Sequence, residues 1–124
     1  MTKIDIEGTF MTPRVVLNPE TNEFFITGNS RPENPLAFYK PIFAWFEEYF
    51  QENDTQINFL IYLEYFNTST SKIIMDLFEL FERVNENSTK AHVIWQYNSG
   101  DEEMKDAGEE LFDLVPISGE LKEF

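Results

Sequence analysis

The stretch Ile57-Asn58-Phe59-Leu60-Ile61-Tyr62-Leu63-Glu64-Tyr65-Phe66, followed at once by Asn67-Thr68-Ser69-Thr70-Ser71-Lys72, decides how this chain folds. Ile57, Phe59, Ile61, Leu63 and Tyr65 alternate on one side, and Leu60, Tyr62 and Phe66 on the other. Apolar residues on both sides predict a central strand with helices packed over it. Glu64 interrupts that run just before the hydroxyl-rich segment. Two readings of Glu64 stand: a strand end in solvent, or a charge set near Thr68. Beyond the segment, Ile73, Ile74, Leu77, Phe78, Phe81 and Val84 recur at helical spacing. Thr68 therefore falls where a strand gives way to a helix, the position of an N-cap.

Upstream, Arg14–Asn18 and residues 23–27 read as two strands joined by the turn-forming residues Pro19-Glu20-Thr21-Asn22, a β-hairpin. Residues 28–35 are dense in turn formers, and Asn34-Pro35 reads as an Asn cap with Pro at the first helical position. Leu36, Tyr39, Ile42, Phe43, Phe46 and Phe50 form one apolar helix stripe. An interior Pro removes a backbone donor, so Pro41 predicts a helix that begins properly only near that residue. Asn53-Asp54 ends it. Downstream, residues 85–89 are polar loop, His92 to Tyr97 a strand, and residues 101–114 a helix with Asp101, Glu102 and Glu103 in its first turn. That helix has few apolar members, so it is expected to cover only part of the sheet. A final strand is expected at residues 115–118. The order β-β-α-β-α-β-α-β predicts an α/β domain over 1–124, with a mainly parallel sheet and an antiparallel hairpin at its edge.

Composition narrows the functions. With 23 acidic and 9 basic residues the net charge is −14, which repels nucleic acid and favours a partner rich in Lys or Arg. Acidity that only keeps an aromatic-rich chain soluble accounts for the same numbers. There is no Cys, so thiolate metal sites and Cys nucleophiles are excluded. No run approaches the roughly 18–20 apolar residues that span a bilayer, and residues 1–7 lack the apolar core of a secretory signal. A cytoplasmic domain without membrane insertion is expected. His92 is the only His, which leaves no second imidazole for a metal site, and no cofactor motif is present.

The segment at Thr68 is the one place where the chain invites chemistry. A helix start offers free N–H groups that can cap through a hydroxyl or cradle a phosphate. A phosphoryl group there would add about −1.5 to −2 charges, held by the amides of Ser69, Thr70 and Ser71 and by Lys72. One capping side chain suffices for a helix, and this segment has four hydroxyls. The residues alone do not choose between a plain cap and a modified one, nor among the four.

A resemblance chooses. Gly8-Thr9 with Thr12-Pro13, Gly28-Asn29-Ser30 leading to Pro32-Glu33-Asn34, and the block from Tyr65 to Glu82 carry it. That block includes Asn67-Thr68-Ser69 with Lys72, Asp76 and Phe78. Trp95-Gln96-Tyr97 and the Glu109-Glu110 helix follow in order. Over nearly its whole length the chain resembles the SiaC family of bacterial regulatory phosphoproteins, similar in fold to STAS domains. The resemblance implies a non-catalytic partner switch with Thr68 as phosphoacceptor. A Ser/Thr protein kinase would phosphorylate it and a PP2C-type phosphatase would reverse this. The unphosphorylated form would bind and activate a diguanylate cyclase, raising cyclic di-GMP and promoting biofilm. Thr70 and Ser71 before Lys72 leave room for a second acceptor. The loop Pro32-Glu33-Asn34 is assigned to the same face, on the expectation that loops after parallel strands gather at one sheet edge. Two rivals from other classes are a constitutive acidic adaptor and a small carboxylate-based enzyme.

Overall fold

The computed structural model describes residues 2–124. The stretch quoted above forms β4 (Ile57–Phe66), the fourth strand of a six-stranded sheet. The others are β1 (Ile4–Ile6), β2 (Arg14–Asn18), β3 (Glu23–Ser30), β5 (Ala91–Tyr97) and β6 (Gly119–Glu123). The strands lie side by side in chain order. β1, β2 and β3 are antiparallel, and β3 to β6 are parallel. Three helices make the crossovers: α1 (Pro35–Glu52), α2 (Thr68–Val84) and α3 (Glu102–Leu114). This is the expected α/β domain, mainly parallel with an antiparallel hairpin, extended by β1, a short strand the sequence reading missed. The last strand lies four residues later than expected, at Gly119 instead of residue 115. Val115 is buried and caps α3 instead, its N–H donating to the Leu111 carbonyl.

The expectation that β4 is covered on both sides is corrected. Parallel crossovers are right-handed, and here every crossover steps to the next strand in the same direction, so all three helices fall on one face. That face carries Ile57, Phe59, Ile61 and Leu63 of β4 and Ala91, Val93 and Trp95 of β5, all buried. Phe59 meets Phe46 of α1 and Phe81 of α2 edge-on, with ring centroids 5.2 and 6.0 Å apart. Trp95 lies against Gly108 of α3 and donates its indole N–H to the Met104 carbonyl at 2.9 Å. The opposite face has no helix. There Val16, Phe25, Leu60 and Ile94 stand in one row across four strands, shielding one another. Its apolar character is what made β4 read as doubly covered.

Pro41 does not shorten α1, which starts at Pro35 with the Asn34 side chain accepting from the Ala37 N–H at 3.1 Å. Pro41 and Ala37, one turn earlier, are both exposed. The carbonyl that loses its donor is therefore left to water, and the helix tolerates the ring.

Candidate functional site

α2 begins where β3 and β4 end together. Ser30 pairs with Phe66 in the parallel register, and the Asn67 N–H donates to the Ser30 carbonyl at 3.1 Å. Asn67, not Thr68, is the N-cap: its side-chain oxygen accepts from the Thr70 N–H at 3.0 Å. Thr68 is the first helical residue. The expected capping role thus moves back by one residue, because an Asn side chain reaches the third helical N–H as well as a Thr hydroxyl does.

The four hydroxyls part company. Thr70 is fully buried, its Oγ1 2.8 Å from Ser30 Oγ and donating to the Ser30 carbonyl at 3.2 Å. Ser30 Oγ in turn lies 2.6 Å from the Tyr39 hydroxyl of α1. This chain of hydroxyls fastens β3, α1 and the start of α2 beneath the surface. Burial pushes the Tyr39 phenol up to about 12, against the opposing pull of the nearby Ser30 and Thr70 hydroxyls. Ser71 is half-buried and donates its hydroxyl to the Thr68 carbonyl at 2.7 Å. Thr68 and Ser69 are exposed, and among the described residues neither hydroxyl has a hydrogen-bond partner. Lys72, also exposed, sits one turn past Thr68 on the same side of the helix.

Glu33 and Asn34 share an open groove of about 400 Å³ with Pro35, Leu36, Ser69, Lys72, Ile73 and Asp76. Pro32 is buried and does not line it. Glu64 does not join this group. It is exposed at an irregularity in the β3–β4 pairing, where Gly28 and Asn29 face Leu63 and Tyr65 and Glu64 has no partner. It lines a separate cleft with Asp101 and Glu103 of α3. His92 bonds to Ser118 through Nδ1 at 2.7 Å.

Sequence reasoning missed Arg31, whose guanidinium lies 4.6 Å from the centroids of both the Phe10 and Tyr65 rings at this sheet edge. It also missed Leu36 and Lys40, which line the groove and its continuation. No local pattern marks Arg31, since its two rings come from residues 10 and 65. Leu36 belongs by spacing to the apolar stripe of α1, yet it stands in the first turn and is 75% exposed. Every carboxylate except Asp101, the cap of α3, is exposed. Among the described residues no group of His, Asp or Glu is placed to hold a metal ion, and no helix is long and apolar enough to cross a membrane.

Fold and site together define a small α/β domain that presents free hydroxyls at a helix start beside an open groove. Residues 6–122 match the SiaC family regulatory phosphoproteins, and the chain belongs to that family. An uncharacterized protein of Pseudomonas aeruginosa (strain UCBPP-PA14) is 26% identical over 111 residues, covering 90% of this chain and 88% of that protein. The fold is that of SiaC of Pseudomonas aeruginosa, with a TM-score of 0.89, 22% identity and full coverage of both chains. A second SiaC structure, in complex with the diguanylate cyclase SiaD that it activates, superposes with a TM-score of 0.91 at 22% identity. It covers 98% of this chain and 99% of that one.

Proposed function

We propose that this chain is a non-catalytic partner-switch protein. A Ser/Thr kinase phosphorylates it on Thr68, a PP2C-type phosphatase reverses this, and the unphosphorylated form binds and activates a diguanylate cyclase. The observation that carries the reading is the division of labour at the start of α2. Asn67 caps the helix, Thr70 anchors it and Ser71 binds back to the helix, so the Thr68 hydroxyl is exposed and free of structural duty. Family membership then favours Thr68 over Ser69 as acceptor. A phosphoryl group at the first helical position meets the positive end of the helix dipole and reaches the ammonium of Lys72. It adds about −1.5 to −2 charges to a surface that partners read, enough to gain or lose about 1–3 charge-assisted hydrogen bonds. The complex of SiaC with SiaD supports a cyclase as the partner. Exposure of the carboxylates supports the absence of catalysis, since acid–base work needs carboxyl groups tuned by burial.

The test is Thr68→Ala, incubated with the cognate kinase and read by intact mass and peptide mapping. Phosphate incorporation is expected to vanish while cyclase activation persists. Wild-type incorporation into Thr68→Ala would remove Thr68 as the acceptor.

A further inference from the structure

β6 is the last strand of the sheet, with β5 on one side and, among the described residues, no strand on the other. Gly119, Glu120, Lys122 and Glu123 are exposed, and Leu121 is half-buried. An edge of this kind offers unpaired N–H and C=O groups to a strand of matching register.

The ladder to β5 fixes which residues face outward. The Val93 N–H donates to the Ser118 carbonyl at 3.0 Å, the Phe124 N–H to the Tyr97 carbonyl at 2.8 Å, and the Ser99 N–H to the Phe124 carbonyl at 3.1 Å. Every second residue of a parallel strand bonds to a given neighbour, so residues 118, 120, 122 and 124 turn to β5. Gly119, Leu121 and Glu123 turn their backbone groups to the outside.

A second β6, antiparallel and related by a twofold axis at Leu121, meets that edge in step. Leu121 faces its own copy and Gly119 faces Glu123, each pair exchanging both of its N–H···O bonds. Between them lie the closer, non-hydrogen-bonded pairs, where Glu120 faces Lys122 of the second copy and Lys122 faces Glu120. The nearest slips that keep outward residues opposed set Glu120 against Glu120 or Lys122 against Lys122. The centred register alone brings unlike charges together, and it adds a Leu121–Leu121 contact on the face that carries the helices. At the other edge β1 has three residues, and the same operation sets Asp5 against Asp5.

We propose that β6 is a self-association edge, through which two copies of this chain join as an antiparallel pair into one continuous sheet. The Glu120–Lys122 pairs select the register. Five residues span about 17 Å of strand, and such a contact is smaller than a standard stable interface. Each copy also carries a net charge of −14, whose repulsion salt screens beyond about 8 Å. The dimer is therefore a weak one, populated at high protein concentration.

The experiment is sedimentation equilibrium of the full chain in about 0.15 M salt, from about 10 μM to 1 mM protein. The wild-type mass is expected to rise from 14.7 kDa toward twice that value. Glu123→Pro removes an outward N–H while sparing the bonds to β5, and Lys122→Glu and Glu120→Lys each oppose like charges; each is expected to weaken association about tenfold or more. An equal mixture of the two charge variants restores unlike pairs across the mixed dimer and should associate within about threefold of wild type. Circular dichroism checks that each variant keeps the fold. A monomer mass over the whole range would overturn the proposal. So would a dimer that survives both Glu123→Pro and the charge variants unweakened, or charge variants that stay monomeric when mixed.

Discussion

Replacing Thr70 by Val separates the structural hydroxyl from the one proposed as phosphoacceptor. Val matches Thr in shape and nearly in helix propensity, so the change removes the hydroxyl and little else. Two interactions go: the hydrogen bond to the Ser30 carbonyl and the contact with Ser30 Oγ. Neither Ser30 atom is orphaned, because the carbonyl keeps the Asn67 N–H at 3.1 Å and Oγ keeps Tyr39 at 2.6 Å. At about 0.5–1.5 kcal/mol net for each hydrogen bond, the loss is about 1–3 kcal/mol. With a urea slope of about 1.5 kcal/mol/M for a domain of this size, a loss of about 2 kcal/mol lowers the midpoint by roughly 1 M. Thr68→Val removes an exposed hydroxyl without partners, so its stability should stay within about 0.5 kcal/mol of wild type and its midpoint within about 0.3 M. The two variants should then reverse roles in the kinase assay. Thr70→Val is expected to accept phosphate as wild type does, and Thr68→Val none. Equal midpoints for Thr70→Val and wild type, or an equal fall in both variants, would refute the assignment of structure to one hydroxyl and modification to the other.

Two further expectations concern the core. A Cβ at position 108 would lie 2.4 Å from Trp95 Cδ1 and 2.6 Å from Nε1. Gly108→Ala should therefore destabilise by about 1–3 kcal/mol through overpacking, despite a gain in helix propensity of about 1 kcal/mol, with tryptophan emission moving to the red; a raised melting temperature would contradict it. Tyr39 is an acid held neutral by burial, with its pKa raised from about 10 to about 12. Its contribution is fully present below pH about 10 and is lost as pH climbs toward 12, because the unfolded chain gives up that proton first. The loss is about 2–3 kcal/mol, and burial raises Tyr49 too. Urea unfolding between about pH 9 and 11.5 should thus be less pH-dependent in Tyr39→Phe, though not flat. An identical slope in wild type and variant would show that the phenol is not held neutral.

Periodicity made most of the fold legible. The Phe46 and Phe81 stripes and the two-period run of β4 gave the helices, the strand and their order. The error over β4 has a physical source. Alternation records how apolar each face is, and a row such as Val16, Phe25, Leu60 and Ile94 shields itself laterally without any helix above it. Strand order, which sets where the helices lie, is a long-range property that no local window contains. At the site, the helix start was legible but its cap was off by one. The fate of Thr70 was written in the sequence as well: it stands three, four and seven residues before Ile73, Ile74 and Leu77, on the buried stripe. The groove was not legible, because its two walls come from residues 33–43 and 69–76 and meet only through packing.

The agreement between strand order and chain order bears on how the protein is made. Each strand from β2 to β6 pairs with the strand synthesised just before it, and no strand waits for a later one to be slotted between it and its predecessor. A chain leaving the ribosome can add one strand and one helix at a time to a growing edge, so loop-closure costs stay small and early segments are covered as soon as the next emerges. The hydroxyl anchor of Ser30, Tyr39 and Thr70 is completed as soon as α2 begins. The segment from Asn67 to Lys72 would then be set in place before β5, α3 and β6 exist.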